Sequence, residues 1–194
     1  MGRRILHKEK PVSMKHNFAP YLNPVFIESG SYAGEGIMAA IRAGFPRIIS
    51  IELSDYYYTL CKEKFRNISN IELYFGDSIE VLPEILKGIN ERCTFWLDGH
   101  FCQDYTASGI MPVPLMEELK IIAKHPIKDH TLILDDMRLL RGHEAEWKHL
   151  EYCICDVEEM IHSINSNYKI TYHYGVVPND ILIAEVNGEI VDKK

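Results

Sequence analysis

Phe26-Ile-Glu-Ser-Gly-Ser-Tyr-Ala-Gly-Glu-Gly36, followed by Ile48-Ile-Ser-Ile-Glu52, decides how this chain is read. A short apolar run at 25–27 ends in an acid, passes through three glycines and enters a helix-like segment at 37–43. After a turn at Gly44-Phe-Pro46, a second apolar run ends in another acid, Glu52. Strand, glycine loop, helix, strand is the first half of a nucleotide-binding α/β unit. Glycines at 30, 34 and 36 let the backbone turn tightly and approach a ligand, because no Cβ intervenes. Glu52 falls at the predicted tip of the second strand, where a carboxylate accepts both hydroxyls of a ribose. An adenosine-containing cofactor is the expectation.

The spacing narrows the cofactor. A dinucleotide fingerprint reads G-x-G-x-x-G. Here the order is reversed, G-x-x-x-G-x-G, with Glu28 ahead of the first glycine. This resembles the first motif of class I S-adenosylmethionine (SAM)-dependent methyltransferases. The stretch Glu-x-Gly-x-Tyr-x-Gly at 28–34 is similar to the version in cation-dependent O-methyltransferases of the catechol and caffeoyl-CoA type. The resemblance runs over about 24–186. It implies a Rossmann-like α/β fold: a doubly wound, seven-stranded, mostly parallel sheet with an antiparallel last strand and helices on both faces. It also implies SAM held by Glu28, Gly30, Ser31, Tyr32, Gly34 and Gly36, with Glu52 and Leu53 at the ribose. Asp77 and Ser78 would lie beside the adenine, and Asp98 near the donor's amino group.

The rest of the chain alternates strand and helix without repeats or low-complexity linkers. Helices are predicted at 55–67, with Ser54 or Asp55 as N-cap, at 79–87 despite Pro83, and at 115–124. Strands are predicted at 71–75, 93–97 and 131–134. Apolar residues at helical spacing (Trp147, Leu150, Ile154, Val157, Met160, Ile161, Ile164) predict a long helix over 144–164. Strands at 168–174 and 181–186, joined by a turn at Pro178-Asn179-Asp180, close the sheet.

In an open α/β sheet, ligands bind beyond the carboxyl ends of the strands. The acids that close these strands are Glu28, Glu52, Asp77, Asp98, Asp135 and Asp136. So many at one edge repel one another unless something positive sits among them. A cationic methyl donor is one positive centre, and a divalent metal is another. Helix capping accounts for any one of these acids, but not for their recurrence. Asp98, Asp135 and Asp136 form the strongest subset, since hard oxygen ligands from neighbouring strand ends suit Mg²⁺ or Mn²⁺. Phe95-Trp-Leu-Asp98 and Ile133-Leu-Asp-Asp136 match the family's acids after strands four and five. The resemblance therefore implies a metal that holds the acceptor hydroxyl and lowers its pKa.

For the proton acceptor the chain departs from the catechol pattern. Where those enzymes carry a lysine after the strand-four Asp, this chain has Phe101. His100 is the nearest titratable substitute, with an ordinary pKa suited to a base near neutrality. His143 is the rival, because macrocin-type sugar O-methyltransferases use a histidine shortly beyond their own Asp-Asp pair. Plain surface histidines remain the third reading.

The chain has 194 residues, 46% hydrophobic and 25% charged, with a net charge of -7. Such a composition predicts one globular domain, taken as 24–194, behind an N-terminal arm at 1–23. Arg3, Arg4, Lys8, Lys10 and Lys15 in that arm read as a solvated basic tail. The negative balance argues against nucleic acid as a partner. No apolar run approaches a membrane span and no signal core is visible, so a cytoplasmic protein is expected. Cys153-x-Cys155 reads as two reduced thiols on one helix. So short an arm leaves the acceptor wall missing or supplied by a partner, and a homo-oligomer stays open. The loops at 99–114, 137–143 and 172–178 offer Gln103, Asp104, Tyr105, Arg138, Arg141 and Tyr174. This polar lining favours a small-molecule acceptor with free hydroxyls, a sugar or glycan, over a catechol. A nicotinamide-dependent oxidoreductase and a non-catalytic SAM-fold binding protein are the alternatives.

Overall fold

The computed structural model of the chain describes residues 14–99, 109, 113–141 and 150–186. The strands are β1 (Val25–Ser29), β2 (Arg47–Glu52), β3 (Ile71–Phe75), β4 (Cys93–Leu97), β5 (Thr131–Leu134), β6 (Tyr168–His173) and β7 (Ile181–Val186). Between them run α1 (Glu35–Ala43), α2 (Asp55–Phe65), α3 (Ser78–Leu86), α4 (Leu115–Lys124) and α5 (Ile154–Ile164). Short 3-10 turns occupy Ala19–Tyr21 and Met137–Arg141.

All seven strands form one sheet in the order β3-β2-β1-β4-β5-β7-β6. The pairs β1–β2, β2–β3, β1–β4 and β4–β5 are parallel, and β7 runs antiparallel to both β5 and β6. The winding direction therefore reverses between β1 and β4, which opens a crevice at their carboxyl ends.

The strands read as apolar runs because both faces are covered. Successive side chains alternate across the sheet. Phe26, Ile48, Trp96 and Ile133 meet α1 and α2 on one face, together with Phe18 from the segment before β1. Ile27, Ile49, Phe95, Leu132 and Leu134 meet α3, α4 and α5 on the other. Each such side chain removed from water contributes about 1.5–3 kcal/mol.

The amino ends of β4 and β5 are closed by two buried histidines. Cys93 N–H donates to His130 Nδ1 at 3.0 Å, His130 Nε2 lies 3.0 Å from His125 Nδ1, and His125 Nε2 lies 3.1 Å from the Ile89 carbonyl. Nδ1 of His130 must accept, so its Nε2 carries the proton and donates onward. Burial, reinforced by His125, lowers the His130 pKa to about 4, and the ring is neutral.

Two expectations are corrected here. The helix predicted over 144–164 starts only at Ile154, and 150–153 is not helical; 144–149 lies outside the described residues. Cys153 sets that start. Its backbone is extended, its N–H donates to Asp156 Oδ2 at 2.6 Å, and its carbonyl accepts from Asp156 N–H at 3.1 Å. That reciprocal cap ends apolar periodicity as a helix signal at this point. The same cap overturns the reading of Cys153 and Cys155 as reduced thiols on one helix. Cys153 stands off the helical track with its Cα 5.4 Å from that of Cys155, and the two form a disulfide. Cys61 and Cys93 are free and buried. Among the described residues, no helix is long and apolar enough to cross a membrane.

Candidate active site

The glycine loop brings β1 against the end of β4. Gly30 has φ +88°, and a Cβ there would lie 2.9 Å from the Asp98 carbonyl oxygen. Gly36, in the first turn of α1, lies on the Glu28 carboxyl: a Cβ would sit 1.7 Å from Oε1. Only a residue without a side chain lets that acid occupy its place.

Glu28 is 1% exposed. Ser50 Oγ donates to its Oε2 at 2.5 Å, and Ser31 Oγ lies 2.5 Å from Ser50 Oγ. Burial pushes the Glu28 carboxyl up to about 8; the Ser50 bond opposes this, and the charges of Asp98 and Glu52 add to it. Glu52 closes β2 with both oxygens pinned by main-chain donors. Tyr32 N–H reaches Oε2 at 2.8 Å and Ser54 N–H reaches Oε1 at 2.7 Å. Tyr32 adopts left-handed backbone at φ 44°, the kind of strain that clusters at ligand sites.

A cleft of about 320 Å³ opens over these residues. Glu28, Gly30, Ser31, Tyr32, Gly36 and Glu52 line one side, and Asp98 and Asp136 the other. Of the other residues expected to touch the cofactor, Gly34 is the N-cap of α1 rather than a lining group. Leu53 and Asp77 lie against Gly109. Asp77 caps α3 by accepting from Ile79 N–H at 3.0 Å, so capping is part of its role. Ser78 begins α3 and is buried.

Asp98, Asp135 and Asp136 come together as their spacing predicts. One carboxylate oxygen from each lies within 4.8 Å of the others. The two aspartates at the end of β5 are buried, and Asp136 stands at φ 59°. Burial raises the pKa of the Asp135 carboxyl, Asp98 and Asp136 raise it further, and Lys15 holds it back.

Two cations answer this charge. Lys15 Nζ is 2.8 Å from Asp135 Oδ2 and 4.0 Å from Asp98 Oδ2. Burial works against the Lys15 charge, but Asp98, Asp135 and Asp136 outweigh it and raise its pKa. Arg138 Nη1 pairs with Asp136 Oδ1, and with Asp180 Oδ2 at 2.7 Å.

The carboxylate set suits a hard divalent cation. Asp135 Oδ2 is buried and, the Lys15 ion pair apart, has no partner among the described residues. An oxygen in that state retains coordinating capacity, so the residues present fit a metal.

Sequence reasoning missed Lys15, His16 and Asp180 as site residues, and it offered Arg138 as acceptor lining without its pairing to Asp136 and Asp180. The first two belong to the arm read as solvated, and that reading fails for Lys15. They line the cleft, so chain before β1 supplies part of the wall expected to be missing. The His16 ring lies 5.7 Å from that of Trp96, and burial followed by the Lys15 charge lowers its pKa. His100 and His143, the two candidate bases, lie outside the described residues, as do Gln103, Asp104 and Tyr105.

No protein-family model matches the sequence, and no curated protein does. Solved structures share the fold. An O-methyltransferase from Bacillus cereus in complex with SAH is 10% identical, with TM-score 0.62, covering 93% of this chain and 84% of that one. SMU.1697c, a putative methyltransferase from Streptococcus mutans in complex with SAH, is 14% identical, with TM-score 0.62, covering 91% and 98%. The O-methyltransferase TomG from Streptomyces achromogenes, involved in tomaymycin synthesis and in complex with SAM, is 13% identical, with TM-score 0.58, covering 88% and 76%. The architecture of this chain is the Rossmann-like methyltransferase fold.

Proposed function

We propose that the chain is a SAM-dependent, divalent-cation-dependent O-methyltransferase acting on a hydroxyl of a small polar acceptor, a sugar or glycan. One observation carries the reading. A cleft walled by Glu28, the glycine loop and Glu52 opens directly onto three carboxylates whose oxygens lie within 4.8 Å of one another. The neighbouring structures that hold SAM or SAH on this fold support the choice of cofactor.

In this reading, Glu52 accepts from the two ribose hydroxyls, with its carboxylate already oriented by Tyr32 N–H and Ser54 N–H. Gly30 and Glu28 border the methionine end, and Asp77 with Ser78 the adenine end. The acids of the cleft favour a sulfonium over its neutral product, which assists release after transfer. Asp98, Asp135 and Asp136 hold Mg²⁺ or Mn²⁺. When bound, such an ion lowers the pKa of an acceptor hydroxyl and orients its oxygen. The remaining work is proximity and exclusion of water, with His100 or His143 taking the hydroxyl proton.

The experiment is methyl transfer from SAM to a panel of sugar and glycoside acceptors, read as a mass gain of one methylene. EDTA is expected to abolish transfer and Mg²⁺ or Mn²⁺ to restore it. His100→Ala or His143→Ala is expected to lower turnover by about 10²–10⁴-fold. Full activity in EDTA-treated protein would remove the metal from the reading and leave the carboxylates as partners of Lys15 and Arg138. Thermal stabilisation by NAD and not by SAM would replace the reading with the oxidoreductase.

A further inference from the structure

The two cations at the acidic trio are held in different ways. Arg138 is built into the scaffold. Asp180, fully buried at the start of the β7 hairpin arm, accepts from Arg138 Nη1 at 2.7 Å, from Arg138 N–H at 3.2 Å and from Val176 N–H at 2.9 Å. Met137 N–H donates to the Asp180 carbonyl at 2.8 Å. Moving Arg138 would therefore loosen both the turn after β5 and the β6–β7 connection.

Lys15 reaches the trio from a short segment of which Lys15 and His16 line the cleft. Met14 N–H donates to the Tyr174 carbonyl at 2.7 Å, and Asn17 N–H donates to the Met14 carbonyl at 3.0 Å. Between them His16 stands at φ 63°, left-handed backbone that a non-glycine residue adopts at a cost. The Lys15 side chain keeps 32% of its surface exposed, whereas that of Asp135 keeps none. Its ammonium lies against the oxygens that the proposed function assigns to a metal.

We infer that Lys15 is a resident cation of this site that a divalent metal displaces, and that 14–17 is a strap released when it does. The inference rests on the metal part of the proposed function. A dication held by Asp98, Asp135 and Asp136 repels an ammonium at 2.8 Å from one of the same oxygens, so the two occupancies exclude each other. Without either cation, Asp135 Oδ2 would be buried with no partner among the described residues, a costly state for a carboxylate oxygen. Lys15 thereby holds the trio together, and its departure carries His16 away from the cleft wall and loosens the Met14 contact with Tyr174. Arg138 stays in both states, because Asp180 retains it.

The test uses the full chain and Mn²⁺ alone as the probe. Calorimetry compares wild type with Lys15→Met, which keeps the stem without the charge, and with Lys15→Arg, which keeps the charge. Lys15→Met is expected to bind Mn²⁺ about tenfold tighter than wild type or better, and Lys15→Arg no tighter. Amide exchange in unmutated protein is the second readout, needing no variant: Mn²⁺ is expected to speed exchange at Met14 and Asn17. Equal Mn²⁺ affinity in wild type and Lys15→Met, weaker binding by Lys15→Met, or exchange at 14–17 that Mn²⁺ leaves unchanged would overturn the displacement. In those cases the metal site itself survives. Absence of Mn²⁺ binding in all three proteins would overturn both this inference and the metal part of the proposed function.

Discussion

The two ends of the sheet treat buried polar groups in opposite ways. At the amino ends, demand is met within the fold. His130 and His125 bridge Cys93 N–H to the Ile89 carbonyl, Tyr168 OH donates to the His130 carbonyl at 2.7 Å, and Asn23 Nδ2 serves the Cys93 carbonyl, Thr94 and Thr131 at 3.0–3.2 Å. At the carboxyl ends, three buried oxygens lack a regular hydrogen bond among the described residues: Ser29 Oγ and Glu118 Oε1, which lie near each other, and Asp135 Oδ2, which meets the Lys15 ammonium. Buried polar groups are normally paired, so this end is less fully satisfied by the scaffold than the other. The difference separates an end closed by the scaffold's own hydrogen bonds from the end where the proposed site lies.

Acid should test the closed end, with the largest effect. His130 in the folded chain titrates at about 4, below its ordinary 6.5. Between those values the unfolded chain binds more protons, so stability falls as pH drops from 6.5 toward 4. The loss attributable to this ring is on the order of 3 kcal/mol. Urea midpoints from pH 7 to pH 4 should show it, and His130→Gln should flatten that part of the slope. A wild-type profile as flat as that of the variant would mean that the folded ring accepts a proton, and the closed end would be as open as the other.

Gly36→Ala probes the open end. Its methyl must displace the Glu28 carboxyl, while the helix gains up to about 1 kcal/mol in propensity. SAM affinity by calorimetry is therefore expected to fall about tenfold with little loss of stability. Unchanged affinity would show that Glu28 yields without consequence and serves packing rather than the ligand.

Glu118→Gln sharpens the comparison with the opposite pH sign. Burial pushes Glu118 up to about 7; the nearby Ser78 and Ser29 hydroxyls pull it back only in part, and Asp77 and Asp98 add to the rise. With the folded value above the unfolded one of 4.5, the folded chain binds more protons between them, so stability falls as pH rises through that window. Above it, the amide avoids a buried charge. Glu118→Gln should be more stable than wild type at pH 8 by about 2–3 kcal/mol and nearly equal at pH 5. A destabilised variant at pH 8 would mean that the Glu118 carboxylate has a partner worth keeping.

The glycine loop and the acids at the strand ends were legible in the chain because they follow from local rules. Apolar runs of strand length, glycines where the backbone turns from strand to helix, and an acid after each run all lie within a few residues of what they serve. The start of the helix predicted over 144–164 was not legible, because apolar periodicity continues through a capping box that only the backbone around Cys153 reveals. The disulfide follows from that same cap.

The sequence by itself determined the alternation of strands and helices, the sheet edge that carries the acids, and the grouping of Asp98 with Asp135 and Asp136. These depend on hydrophobic period and on the parallel register of neighbouring strands, which a chain declares segment by segment. Only the tertiary structure decided which cations meet those acids. Lys15 lies in an arm whose composition reads as solvated, and Asp180 lies in a turn; nothing local distinguishes either. Their pairings with Asp135 and Arg138 exist because the strand order β1-β4-β5-β7 carries distant parts of the chain to one edge, where buried carboxylates stay ionised only next to positive charge.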